Sequence, residues 1–162
     1  MRKKRKQLEE ELIKTWEFNK KLLQKYSLQN LWLFNKFVLN VEEGEERVGL
    51  ASFHKELCEF VTDDKKKKKL ILVPRMHLKS TLVTVGYSLQ QIIANPNTRI
   101  LILSATYANA TDFVSAIKDH LTKNDTLVEL FGNIAANPLI WANDRFTLSS
   151  LRTTTGDKEP TV

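Results

Sequence analysis

Two short, unbroken apolar runs, Leu70-Ile-Leu-Val73 and Ile100-Leu-Ile-Leu103, bracket a stretch with helical periodicity, and this arrangement restricts the chain more than any other feature. Each run has the length of a strand. Unbroken rather than alternating apolarity is what a parallel strand covered on both faces shows. Between them Leu82, Val83, Leu89, Ile92 and Ile93 supply the apolar side of a helix over 79–94, which Asn95-Pro96-Asn97 stops. Strand, helix and strand at about this spacing (roughly 30 residues) form a βαβ unit. The predicted class is therefore α/β with a parallel sheet. Further helices are predicted over 107–122 and 126–131, the latter ended at Gly132, and a third strand over 145–151.

Upstream the pattern is helical throughout. Leu8, Leu12 and Trp16 recur at four-residue spacing and predict a helix over 3–25. A second helix is predicted over 27–40, rich in large apolar groups, and a third over 50–62 with Phe53, Leu57, Phe60 and Val61 on one side. Residues 41–49, with Gly44, Gly49 and four glutamates, read as a loop. The expected organisation is a helical N-terminal lead-in, 1–62, followed by an α/β core, 63–162.

The single cysteine, Cys58, excludes an internal disulfide and fits a reducing compartment. No apolar run approaches the roughly 18 residues that span a bilayer, and the charged N-terminus lacks the apolar segment of a signal peptide. These features predict a cytosolic protein without a membrane partner. The formal net charge of +6 is concentrated in two clusters, Arg2 to Lys6 and Lys65 to Lys69. A basic balance suits nucleic acid, with salt-sensitive, sequence-independent affinity; equally, a charge run is often a solvated surface.

The most informative stretch is Val73-Pro-Arg-Met-His-Leu-Lys-Ser-Thr81, between the first predicted strand and its helix. That is the placement of a phosphate-binding loop. There, backbone N–H groups and the helix N-terminus face the phosphates, a lysine reaches the terminal phosphate oxygens and the next hydroxyl holds Mg²⁺. Lys79 and Ser80 occupy those two positions. The usual pattern, G-x-x-x-x-G-K-[ST], is loosened: Val73 and Leu78 stand where the glycines would be. Lys-Ser-Thr is also ordinary capping chemistry at a helix start, so the motif alone leaves both readings open.

The wider stretch, residues 70–82, resembles the first ATPase motif of phage terminase large subunits, which commonly reads Pro-Arg-Gly-x-x-Lys-Ser-Thr. Met76 stands at the glycine that follows the family's arginine. Arg99 to Ala110 looks like the family's second strand and following helix, and Asn124 to Gly132 like the segment after it. Trp141 and 158–162 look like the approach to the third strand, and Phe53 to Leu57 like the helix before the first. The similarity covers about 50–162 and rests on the order and spacing of loose motifs.

The resemblance implies the first half of a P-loop ATPase core, incomplete in this chain, from a motor that uses ATP hydrolysis to drive double-stranded DNA into a capsid. It implies ATP and Mg²⁺ as cofactors and a loop contact from each of Arg75, Met76, His77, Leu78, Lys79, Ser80 and Thr81. Lys79 would bind phosphate and Ser80 ligate Mg²⁺. Thr81 would support the loop, and Arg75 would stabilise charge on the γ-phosphate. It implies a portal protein and a small terminase subunit as partners, a ring of copies when full length, and action in the host cytoplasm. Phe53 and His54 would lie near the adenine.

An apolar strand ending in the Asp and Glu or Asp that hydrolysis requires does not follow Thr81, and the carboxylate cluster of the family's nuclease is also lacking. Asp63-Asp64 precedes the loop and reads as a turn, while Asp157 and Glu159 follow no apolar strand. The expectation is a fragment that binds ATP weakly and hydrolyses it negligibly. His54, His77 and His120 are scattered, which disfavours a zinc site. Ser104-Ala105-Thr106 reads as a strand-end turn and helix cap. Two alternatives stand beside the motor: a helicase-like P-loop ATPase fragment, and a non-catalytic basic module for DNA binding or assembly.

Overall fold

The computed structural model describes residues 2–41, 50–95, 97–148 and 161–162, with side chains from residue 14 onward. The predicted loop over 41–49 lies outside the described residues apart from Val41, as do Asp157 and Glu159. The chain is α/β and mostly helical. Helix α1 (Arg2–Gln29) is followed by α2 (Leu31–Phe37) and α3 (Ser52–Thr62). A π-helix (Ser80–Tyr87) continues directly into α4 (Ser88–Ala94); α5 (Tyr107–Lys123) and α6 (Asp125–Phe131) follow, then strands β1 (Pro138–Trp141) and β2 (Phe146–Leu148).

Asparagine chemistry sets several of these boundaries. Asn30 caps α2, its Oδ1 accepting from Leu33 N–H at 3.1 Å. Asn124 closes α5 and opens α6: its Oδ1 accepts from Leu127 N–H at 2.9 Å and its Nδ2 donates to the Val38 carbonyl at 3.0 Å. One side chain thus caps a helix and ties it to α2. Gly132 follows α6 with φ +80°, a left-handed stop that glycine takes without strain. Thr106 caps α5 through its hydroxyl, which accepts from Asn109 N–H at 3.3 Å. The Ser104–Thr106 stretch is therefore a helix cap, as its residue types predict.

The lead-in helices are not a separate layer but share a core with the helices and strands beyond residue 80. Phe34 of α2 and Val38 just after it lie in one apolar cluster with Leu89, Ile92, Val114, Ile117, Leu121, Leu127 and Phe146. Polar bonds reinforce the same junction. Gln90 Nε2 donates to the Ser27 carbonyl at 2.7 Å, and Gln24 Nε2 donates to the Leu130 carbonyl. A second cluster gathers Leu31, Cys58, Val61 and Leu82, with Ile71 and Leu78 packed against it. Burial there pushes the Cys58 thiol up to about 11, overriding the opposing influence of Asn35 beside it. Native Cys58 is accordingly expected to stay unreactive toward an aromatic disulfide reagent at pH 8 and to react fully in denaturant, followed by absorbance of the released thiolate. Rapid reaction of the folded chain would contradict this burial.

The parallel sheet of the sequence expectation does not appear among the described residues. Among the described residues the ladder is antiparallel, β1 against β2, with Trp141 opposite Phe146 and an irregularity between Pro138 and Ile140. The two apolar runs enter no ladder with another described segment. Ile100 N–H donates to the Thr161 carbonyl at 2.9 Å, and Phe146 N–H to the Val162 carbonyl at 2.9 Å, so residues 161–162 bridge the second run and β2. Nor are the runs covered on both faces. Leu70, Leu72, Leu101 and Leu103 are 79, 83, 81 and 82% exposed, while Ile71, Val73, Ile100 and Ile102 between them are half-buried. Exposure alternates with the two-residue period of an extended chain, and only one side meets the helices. An all-apolar run reads the same whether one face or both are covered, which is why the sequence predicts more burial than exists.

No helix among the described residues is long and apolar enough to cross a membrane.

Candidate functional site

The polypeptide from Pro74 to Thr81 curls around a concavity of about 350 Å³. It joins the first apolar run to the π-helix, so all seven residues that the sequence singles out, Arg75 to Thr81, line one depression. The turn has an uncommon backbone. Met76 has φ +64° and Leu78 φ +53°, whereas Lys79 returns to right-handed helical values of −52° and −51°. Left-handed geometry costs a non-glycine residue about 1–2 kcal/mol. These two positions are where the resemblance places glycines: Leu78 at the residue before the lysine and Met76 after the arginine.

Leu78 offsets its strain by packing. Its side chain is half-buried against the cluster of Leu31, Cys58, Val61 and Leu82. Taking much of a leucine out of water recovers on the order of 1–2 kcal/mol. Met76 has no such anchor, being 95% exposed. Alternating signs of φ turn successive N–H groups toward one side, the arrangement of an anion-binding nest. The first turn of the π-helix adjoins it, with Leu82 N–H donating back to the Leu78 carbonyl at 2.8 Å.

The side chains around this nest are cationic or hydroxylic. Arg75, His77, Lys79 and Ser80 are exposed, and Thr81 is half-buried. Among the described residues neither Arg75 nor Lys79 forms an ion pair. His77 Nδ1–H donates to the Arg75 carbonyl at 2.8 Å, which closes the turn. Among the described residues no carboxylate lines the concavity, and no group of three or more His, Cys, Asp or Glu could hold a metal. The cationic and hydroxylic side chains among the lining residues suit an anion such as phosphate. Toward Mg²⁺ they offer the Ser80 hydroxyl, so most of the remaining ligands would have to be phosphate oxygens and water.

Helix α3 braces the loop from outside. The Phe53 ring lies 5.7 Å from the His77 ring and 3.8 Å from that of His54, centroid to centroid. His54 is 2% exposed. Burial lowers its pKa, the backbone of His77 opposes that shift and the His77 charge adds to it. The structure therefore places His54 behind the loop, fully buried, and not on the concavity's lining. Sequence reasoning groups Phe53 and His54 by resemblance and misses their contact with His77, which no local pattern signals.

The lysine run is partly tied down. Asp63 and Asp64 form the predicted turn, where Lys65 N–H donates to Asp63 Oδ1 at 3.1 Å and Lys66 Nζ lies 3.8 Å from Asp63 Oδ2. Lys66 also stands over the Phe60 ring, and Lys69 Nζ donates to the Val61 carbonyl. Lys65, Lys67 and Lys68 remain exposed. Side chains of Arg2 to Lys6 lie outside those described.

A larger open depression, about 570 Å³, lies between Asn40, His120 and Asn124. Its polar groups already serve the fold: Asn40 Nδ2 donates to Thr126 Oγ1, and Asn124 caps α6. Burial lowers the His120 pKa and the neighbouring Asp119 partly restores it. Nothing there converges on a ligand.

The chain matches no protein-family model, no characterised protein and no solved structure with which it was compared.

Proposed function

We propose that residues 75–81 bind the phosphates of a nucleoside triphosphate, and that the chain is the ATP-binding part of a DNA-packaging motor of the terminase large-subunit type. One observation carries the phosphate reading. Two non-glycine residues, Met76 and Leu78, hold left-handed geometry at the positions where such loops use glycine. Strain of this kind persists where the surroundings impose it and is concentrated at binding sites. In this reading Lys79 and Arg75 neutralise the terminal phosphates, the amides of the turn cradle them, and Ser80 contributes a hydroxyl to the accompanying Mg²⁺.

The motor assignment adds the order of motifs from Phe53 to Gly132 and the exposed Lys65, Lys67 and Lys68, which suit double-stranded DNA. It carries with it a parallel P-loop sheet, a ring of copies, portal and small-subunit partners, and action in the host cytoplasm. Among the described residues the concavity has no carboxylate, which favours binding over turnover by these residues. The same lack supports a second reading, a basic DNA-binding or assembly module that uses no nucleotide.

Titration of the full chain with a fluorescent ATP analogue and Mg²⁺ separates the two. Saturable binding is expected, weakened about 10- to 100-fold in Lys79→Ala, the loss of one charge-assisted contact, with the melting temperature unchanged. If Lys79→Ala binds the analogue as well as the parent chain does, the phosphate-loop reading fails.

A further inference from the structure

We infer that His54 is a positioning residue for the phosphate loop, holding it through a ring N–H that gains its acceptor when phosphate binds. The inference rests on the phosphate reading of residues 75–81.

His54 is the third residue of α3, and its Nδ1 accepts the Ala51 N–H at 2.9 Å. An accepting Nδ1 carries no proton, so in the neutral ring the proton resides on Nε2. That Nε2 is buried and completes no hydrogen bond. The backbone of His77, inside the loop, lies near enough to influence the ring. A buried donor left short of its acceptor is costly, and the cost disappears if the acceptor moves up to it. His77 is already coupled to both sides. Its ring meets Phe53 at 5.7 Å and its Nδ1–H holds the Arg75 carbonyl at 2.8 Å. One link is therefore open, His54 Nε2–H to His77, between the formed bonds of the Ala51 amide to His54 and of His77 to the Arg75 carbonyl.

The loop is strained at Met76 and Leu78, the residues that flank His77. Phosphate in the nest would gather the amides of 76–79 inward and fix the His77 peptide. Once fixed, that peptide can accept from His54 Nε2–H. Each event favours the other, since a ligand that prefers one loop arrangement is in turn bound more tightly by whatever stabilises that arrangement. His54 touches no ligand in this scheme and acts through His77.

The test uses the full chain with ATP and with inorganic pyrophosphate. His54→Gln keeps an acceptor for Ala51 N–H and a donor for the loop, whereas His54→Phe keeps bulk and has neither. Affinity for both probes is expected to fall about three- to tenfold in His54→Phe, the worth of one hydrogen bond, and to be largely restored in His54→Gln. Equal affinity in parent, Gln and Phe chains overturns the inference while leaving phosphate binding in place. A parent chain that binds neither probe overturns both. Nitrogen-15 histidine spectra of the parent chain give a readout that needs no variant. Saturation with pyrophosphate should shift the His54 Nε2–H resonance and protect it from exchange, and an unmoved resonance in the saturated chain overturns the inference.

Discussion

Phe34→Ala is expected to lower stability by about 3–5 kcal/mol, the range for removing a fully buried phenyl ring. Phe34 is 0% exposed, and its ring meets that of Phe131 at 6.5 Å between centroids. It lies on α2 yet packs in the cluster built by α4, α5, α6 and β2. Its loss would open a cavity that no single element can collapse to fill. The measurement is urea unfolding followed by tryptophan fluorescence, with a lower midpoint and an unchanged slope. A loss below about 1 kcal/mol, the ordinary effect of a substitution outside a core, would mean that the lead-in helices fold apart from the rest.

Gly86→Ala is expected to cost about 2–4 kcal/mol, an overpacking penalty joined to the loss of buried hydrogen bonds. A Cβ at residue 86 would stand 2.0 Å from Asn35 Oδ1 and 2.9 Å from its Cγ. Asn35 cannot swing aside freely. It is 0% exposed, and its Nδ2 donates to the Leu31 carbonyl at 2.9 Å and to the Leu82 carbonyl at 3.4 Å. The second of these bonds reaches into the π-helix that directly follows the 75–81 loop. A mutant cycle checks the cause: adding Asn35→Ala to Gly86→Ala should recover about 1 kcal/mol or more relative to the sum of the single changes. Strict additivity in thermal or urea unfolding would place the clash elsewhere.

Much of the helical architecture is legible in the sequence because it depends on local chemistry. Asn124 and Gly132 bound α6 as their side-chain and backbone preferences dictate, and Leu57 and Val61 turn the same side of α3 inward. The first helix runs four residues past its predicted end, to Gln29, because Gln24 and Ser27 are held by partners about 60 to 110 positions away. Sequence periodicity carries no trace of such bonds. The π-helical form of Ser80–Tyr87 is also hidden, since its apolar pattern is that of any amphipathic helix. The strand-like runs stand where the sequence puts them but are less buried than it predicts, for the reason that Leu70 and Ile71 are equally apolar while only Ile71 meets the helices.

Residue types alone locate the candidate loop and single out Lys79, Ser80 and Arg75. They do not reveal its conformation. Leu78 reads as an obstacle in a loop whose geometry favours glycine. Its half-buried side chain instead roots the turn in the cluster beneath it, so the departure from the pattern helps hold the geometry that the pattern normally secures by glycine. That compensation is tertiary and has no sequence signature.

Leu70, Leu72, Leu101 and Leu103 stand largely in water and bury little in the present fold. Removing four such side chains from solvent is worth roughly 6–12 kcal/mol before any association entropy is subtracted. That is the size of a typical domain's whole margin against unfolding. Energetically, then, these four side chains together hold an unused driving force comparable to that margin.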